Sequence, residues 1–518
     1  MSLENLIILA ALSGRTLVLP PDQVMYLLNA GPFDKRGNKR NYHDFFNMTL
    51  NPELLRRVPI ITSKQFLDIE GGEDGLVSLS GYNATYREKL LDIADRCEER
   101  KKSDVFCHLL YDHYRDMGQQ SPVSAETPHE DCFIFDEQVF VKGVEEIDRL
   151  DSATKARIKQ YCGKRGVFYY NRTMHEAGVW HFETLDNRYR LLTHFYGFML
   201  FTDDKVGNYY KRFIRDFLKY KDEVFCAAGK IVLGLMYEDY VRKGNKLELD
   251  GELVGGYSSL HIRRGDLQFK EVRLESMAWY ENTKEIWKPD EILYVATDET
   301  QASFFEDFKK SHGGPMRFFN DYKTLASLDG IDHTYYGLID TVVASRGIVF
   351  AGTWFSTFSG YITRLRGYYG MSKYYTYFSW LERKRYMHTW MDIWEGSLYA
   401  REYPVGWTGI DGDEPVTANW ELLGEDGGVE DNYKPYPRDE MDRDRANLTE
   451  KLIAHRYDAV EDAKPGLLGS LFGAAKQALV EDEPVAAIST KSETGDRKEE
   501  PLGVEAAASD EGKSKATQ

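Results

Sequence analysis

The sequence predicts an α/β protein built on a doubly wound parallel sheet, with another α/β lobe before it and an acidic, irregular tail after it. Three observations carry that expectation. From residue 257 onward, apolar runs of strand length alternate with segments of helical periodicity, the pattern of βα units that wind into one sheet. The chain opens on an apolar helix followed at once by a buried-strand run, a further α/β unit. Beyond about Asp411 the apolar periodicity is lost.

At 518 residues the chain exceeds the size at which one hydrophobic core keeps growing, so two lobes with accessory segments are expected. Apolar residues make up 42% and aromatic residues 14%, a composition that disordered chains lack. The net charge of −18 is unevenly spread. Residues 411–518 hold 26 Asp and Glu against 13 Lys and Arg, so −13 of it belongs to the tail. No basic stripe interleaved with aromatic residues occurs, which argues against nucleic acid as a partner.

In chain order, residues 1–13 read as a helix stopped by Gly14, and residues 16–19 as a strand ended by Pro20 and Pro21. A parallel sheet needs a strand before such a helix. A first strand and its glycine turn are therefore expected upstream of Met1, and the first lobe reads as truncated at its start. Residues 22–135 are rich in turns, such as Gly71-Gly72, and place few elements. Strands at 132–135 and 166–170 lead into one long helical stretch over 189–241, which closes a first lobe spanning 1–245.

The second lobe, 246–410, shows strands at 258–262, 291–296 and 348–351. Helices are expected at 301–310, at 336–344 and onward from Ser356. An aromatic, charged helical extension over 374–408 carries Trp380, Trp390, Trp394 and Trp407. Residues 411–518 form the acidic tail, expected to be largely disordered.

Five cysteines without CxxC or zinc spacing give no metal framework and leave room for one or two disulfides. Four N-x-S/T sequons stand at Asn47, Asn83, Asn171 and Asn447. No window reaches about 18 uninterrupted apolar residues, so no transmembrane helix is expected. The apolar run 3–12 is broken by Glu4 and Asn5 and lacks a basic leader, so it reads as a domain helix and not a signal peptide. The Asp411/Asp413 and Asp442/Asp444 pairs lie in irregular polar sequence and read as solvated loops, not as a metal site.

In an open parallel sheet, ligands bind beyond the carboxyl ends of the strands. Three such ends stand out: HIRRGD (261–266), ATDE (296–299) and GTWFSTFS (352–359). Adjacent residues leaving a strand point to opposite faces. One of Arg263 and Arg264 can thus enter the crevice while the other pairs inward with a carboxylate such as Asp266. A planar guanidinium suits a diphosphate and stabilises negative charge on a leaving phosphate. A surface salt-bridge cluster is the competing reading.

Ser356 and Thr357 stand where a helix begins after a strand, so free backbone N–H groups and hydroxyls face an anion; an ordinary serine N-cap is the plainer alternative. Phe358 packs on a base or in the core. Asp340, on the helix before the third strand, has the chemistry to accept the N1–H and exocyclic amine of guanine, although an exposed helix carboxylate is the commoner case.

HIRRGD, YVATDE (294–299) and VFAGTWFSTFSGYITRLRG (349–367), in this order and spacing, resemble the three motifs of the GDP-fucose protein O-fucosyltransferase family. The opening MSLENLIILAALSGRTLVLPP and the segments HFYGFMLFTDD (194–204) and YYKRFIRDFLKYKDEVFCAAGKIV (209–232) are similar to that family as well, so the resemblance covers roughly residues 1–375. It implies two facing Rossmann-like lobes in a GT-B-type glycosyltransferase arrangement. It also implies metal-independent, inverting transfer of fucose from GDP-fucose to a hydroxyl of a protein or glycan, in the ER or Golgi lumen.

By the same resemblance Arg263 is the diphosphate contact and transition-state stabiliser, with His261 near the ribose or base. Asp340 reads guanine, and Ser356, Thr357 and Phe358 line the donor. Arg264, Asp266 and Asp298 hold the loop. The family's glycine- and asparagine-containing turn, where some members place an acidic base, would precede the first helix, so no base is assigned; Glu4 lies inside the helix. A non-catalytic GDP-sugar- or anion-binding protein on the same fold is the alternative. An oxidoreductase is disfavoured because no GxGxxG turn follows a strand.

Overall fold

The computed structural model describes residues 2–20, 23–24, 39–48, 51–70, 132–137, 167–176, 199–244, 256–265, 273–354, 356–369, 376–379 and 388–389, with isolated positions elsewhere. Asp266, Asn83, Asn447, the four tryptophans of 374–408 and the tail from Asp411 lie outside them.

Helix α1 (Ser2–Ser13) buries Leu3, Ile7, Ile8, Leu9 and Ala10, and Gly14, at φ +66°, turns the chain out of it. Strand β1 (Leu17–Leu19) follows, then an antiparallel ribbon of β2 (Gln23–Val24) and β3 (Lys39–Arg40). Asn41 and Asn51 cap α2 (Tyr42–Phe45) and α3 (Pro52–Arg57), whose four and six residues are too few for hydrophobic periodicity to register. Strand β4 (Ile60–Thr62) pairs parallel with β1 and runs into α4 (Ser63–Glu70). Strand β5 (Cys132–Phe135) lies between β6 (Val167–Tyr169) and β7 (Leu200–Phe201) in a parallel three-stranded sheet, with α5 (Arg172–Glu176) after β6.

The long helical stretch expected over 189–241 is, in its described part, two helices preceded by the short strand β7. After β7, Asp203 accepts hydrogen bonds from the amides of Lys205 and Val206 and starts α6 (Asp204–Phe217). The chain then leaves helical geometry before α7 (Asp222–Arg242). The break has a tertiary cause: Lys219 O accepts from Asn47 N at 2.8 Å and Lys221 N donates to Phe45 O at 3.0 Å. Those backbone groups are thereby committed to a distant segment instead of to a helix.

The second sheet has six strands in the order β10-β9-β8-β11-β12-β13. They are β8 (Ser258–Ile262), β9 (Leu293–Thr297), β10 (Met316–Phe318), β11 (Phe350–Thr353), β12 (Thr376–Ser379) and β13 (His388–Thr389). All pairings are parallel except that of β13. Strand β10 goes unseen in sequence because it has three residues and follows Gly-Gly-Pro. Strands β12 and β13 stand inside the segment expected to be a helical extension. The run Thr-Tyr-Phe-Ser has β-branched and aromatic character, and β11 offers it an edge to pair with. No described helix is long and apolar enough to cross a membrane.

Helices cover both faces. On β9, Leu293 and Val295 join Trp279 of α8 (Ser276–Thr283) and Phe308 of α9 (Glu306–His312) in one core. Tyr294 and Ala296 join the other, with Ile231 and Leu235 of α7, Ile339 and Val343 of α10 (Tyr336–Ser345) and Ile362 of α11 (Thr357–Tyr368). Strand β8 is buried at every position. Such a strand is covered on both sides, as parallel sheets require.

Helix α1 is tied to α11 by an ion pair between Glu4 and Arg364, both almost wholly buried. Burial by itself would raise the Glu4 pKa, but the Arg364 guanidinium holds it below the usual carboxylate range. Further ties are Tyr335 Oη donating to Asp44 O at 2.6 Å and Arg40 to Asp332 at 3.4 Å.

Because Leu260 is fully buried in the central strand, Leu260→Ala is expected to destabilise the protein by about 2–5 kcal/mol. Ile69→Ala, at a site 61% exposed, is expected to change stability by less than about 0.5 kcal/mol. Thermal melts of the two variants check this contrast.

Candidate functional site

The order of the second sheet puts its reversal between β8 and β11: β9 and β10 extend it one way, β12 and β13 the other. Crevices in doubly wound sheets open beyond the carboxyl ends at that point. The segments reached there are 261–265 and 353–359, two of the three strand ends singled out by sequence.

Strand alternation explains where each side chain goes. Leu260 and Ile262 belong to the core under α8 and α9, so Ser259 and His261 project to the face bearing α10 and α11. Accordingly Ser259 Oγ donates to Ala344 O at 2.6 Å, and the His261 and Phe358 rings lie with centroids 4.6 Å apart. The alternation continues past the strand end. Arg264 turns to the α8 side, where it binds Glu299 (3.0 Å), Glu275 (3.2 Å) and Leu274 O (2.8 Å) and lies 4.2 Å over the Phe304 ring. Arg263 pairs instead with Asp298. Among the described residues the carboxylates that meet Arg264 are those of Glu299 and Glu275; Asp266, named from sequence, lies outside them. A carboxylate on the adjacent strand meets the arginine across the sheet, which sequence spacing does not reveal.

Asp298 organises this turn. Beyond Arg263, it accepts from Arg264 N at 2.7 Å and Gly265 N at 2.8 Å. A Cβ at position 265 would collide with its carboxylate, so glycine there permits the close approach. Thr353 joins the two strand ends at the reversal, donating to His261 O at 3.0 Å and accepting from Arg263 N at 2.9 Å. Three residues on, Ser356 is the N-cap of α11 and its side chain accepts from Ser359 N. Thr357 is exposed on the first turn and Phe358 is half-buried. The first-turn amides of α11 have no intrahelical acceptor, so this end of the helix favours an anion.

His261 Nδ1 lies 2.6 Å from Ser359 Oγ. Burial, helped by the Arg263 charge, pushes its pKa down to about 3, so the imidazole is neutral at any physiological pH. It can offer a ring face and a hydrogen bond, not a positive charge. Asp340 on α10 accepts from Tyr294 Oη at 2.6 Å. Burial raises its pKa to about 7, against a smaller opposing effect of the tyrosine hydrogen bond.

Thr353, Ser359, Glu299 and Tyr294 escaped sequence reasoning as site residues. Thr353, Ser359 and Glu299 stand within the strand-end segments singled out by sequence and Tyr294 within the YVATDE motif, but nothing local assigned any of them a partner. Among the described residues no group of three or more His, Cys, Asp or Glu is placed to hold a metal ion.

Fold and crevice define a doubly wound α/β protein with an anion-favouring site at its switch point. Residues 1–369 match the model of the family described as GDP-fucose protein O-fucosyltransferase, and the chain belongs to that family. Among solved structures, it is similar to a crystal structure of POFUT1 in complex with GDP. That match has 11% identity and a TM-score of 0.26, and covers 73% of this chain and 93% of the other. No curated protein matches the chain.

Two outcomes are expected from the geometry. Asp298→Ala removes the acceptor of two turn amides and of Arg263, and should lower stability by about 1–3 kcal/mol in denaturant titration. Asp340 has a folded-state pKa of about 7 against an ordinary 3.8, so the folded chain holds a proton that the unfolded chain has released in between. Its contribution to stability is complete below roughly pH 4 and is lost as pH rises through about 7. Wild type should lose thermal stability relative to Asp340→Asn between about pH 4 and about pH 7; parallel curves would remove Asp340 from the balance.

Proposed function

We propose that this chain is an inverting glycosyltransferase that moves fucose from GDP-fucose to a hydroxyl of a protein or glycan. One observation carries the reading in a chain of this family: Arg263 leaves β8 on the face bearing α11, with its amide bound to Thr353, three residues before the N-cap Ser356. The backbone of Arg263 and a helix N-terminus are thus brought to one sheet reversal, while its guanidinium is held by Asp298 beyond β9; a guanidinium and a helix N-terminus both stabilise a diphosphate.

Transfer breaks the bond from the sugar anomeric carbon to the β-phosphate oxygen, and GDP departs with the electron pair. The acceptor oxygen attacks the opposite face of the sugar and its proton is released to solvent water, so that fucoside, GDP and one proton are the products. Arg263 meets the charge growing on the departing diphosphate. Asp298 fixes the turn that aims it, and a guanidinium has five N–H donors, so that engagement is compatible with a phosphate contact. His261 and Phe358 supply a pair of adjoining rings beside the nucleoside, Ser356 and Thr357 line the diphosphate, and Asp340 accepts from guanine. Arg264, held by Glu299, is scaffold.

In this reading two Rossmann-like lobes face each other, residues 1–245 and 246–410, with α7 of the first laid against the core of the second. Family membership, the sequons and the disulfide-bonded Cys162 favour the lumen of the ER or Golgi as the place of action.

The experiment is GDP release from GDP-fucose with EDTA present, paired with calorimetry of GDP binding. Arg263→Ala is expected to reduce release by about 10²–10³-fold. Undiminished release would overturn the role of Arg263, and loss of release in EDTA restored by a divalent cation would overturn metal independence. GDP binding without any sugar transfer by the wild-type chain would assign a non-catalytic donor-binding module instead.

A further inference from the structure

We propose that Tyr294 is the positioning residue that orients Asp340 toward the nucleobase, and so sets the preference for guanine over other purines. The inference rests on the donor-site reading above and adds a residue to which that reading gives no role.

Tyr294 stands on β9, fully buried, on the sheet face covered by α10. Its ring is wedged edge-on against Tyr257 with centroids 6.3 Å apart, and Tyr257 is itself fixed by donating to Val343 O at 2.7 Å. The Tyr294 hydroxyl therefore has little freedom, and it donates to Asp340 Oδ1 at 2.6 Å. Among the described residues the Asp340 side chain has no second hydrogen-bond donor, and no cation acts on it. The half-buried Asp340 carboxylate thus has one oxygen held by Tyr294 and the other free of protein donors among the described residues, open to donors from a ligand.

The donors come from the rim. Residues 343 and 344 of α10 are bonded to Tyr257 and Ser259 at the start of β8, so the first turn of α10 lies at the opposite, carboxyl edge. Gly337 and Asp340 share a helix face. A Cβ at Gly337 would touch Phe358 at 3.7 Å, and the Phe358 ring lies against His261, so Asp340 lies one turn below the His261–Phe358 pair. A base seated there would meet Asp340 with its edge. Guanine presents N1–H and the 2-amine to the two carboxylate oxygens; hypoxanthine lacks the amine, and xanthine replaces it with a carbonyl acceptor. Tyr294 decides which oxygen faces which group.

The test measures dissociation constants of GDP, IDP and XDP by calorimetry for wild type, Tyr294→Phe, Asp340→Asn and the double variant, with melting temperatures as a check on folding. Wild type is expected to favour GDP over IDP by about tenfold or more, the size of a hydrogen bond to a charged group. Tyr294→Phe, which conserves ring volume, should bring that ratio to within about threefold.

In Asp340→Asn the tyrosine hydroxyl still holds the amide oxygen and points the amide N–H₂ at the base, so preference should move to XDP. In the double variant the amide turns freely and that preference should fall. A purely structural role for Tyr294 would weaken all three nucleotides alike, and that result, or an unchanged GDP/IDP ratio, overturns the proposal. Failure of wild type to bind GDP at all overturns the donor-site reading itself, which the binding arm separates from loss of discrimination.

Discussion

The end of the central strand depends on one carboxylate. Asp298 receives Arg263 and the amides of Arg264 and Gly265, and without it the turn after β8 would carry unpaired backbone donors beside two adjacent cations. Its neighbour Glu299 does the same for Arg264 on the other face. The two pairs are consecutive on both strands because side chains alternate on both, so each arginine meets a carboxylate on its own side of the sheet. Removing one partner of a partly buried ion pair leaves the other charge uncompensated, so the turn depends on both.

The second strand end is tied to this turn by Thr353 of β11, whose hydroxyl bonds the backbone of His261 and Arg263 where the strand order reverses. From there the geometry passes to α11 by its serine cap and to His261 by Ser359. The strand ends at the reversal are thus joined through backbone and short polar side chains, with the His261 and Phe358 rings beside them. A neutral histidine and a carboxyl held near neutrality fit such a setting, since both shifts arise from the same loss of water.

The buried Glu4–Arg364 pair plays a comparable part elsewhere, joining the first helix of the chain to the helix whose other end caps the crevice. In sequence, Glu4 reads as a flaw in an apolar run. In three dimensions it is the partner of an arginine 360 residues away.

Local sequence determined much of this. Strands 132–135 and 258–262, the cap at Ser356 and the stop at Gly14 were readable because their causes, alternation, capping and a left-handed turn, lie within a few residues. So was the family, carried by three strand-end motifs whose order and spacing survive in the chain. What only the tertiary structure decided are the contacts between segments far apart in sequence. The break at 218–221 is made by backbone groups of Phe45 and Asn47, and strand 376–379 by the open edge of β11. The partner of Arg264 comes from β9 and the partner of Asp340 from Tyr294. Hydrogen-bond partners across a sheet are set by strand order and register, and neither is encoded in the spacing of residues along one strand.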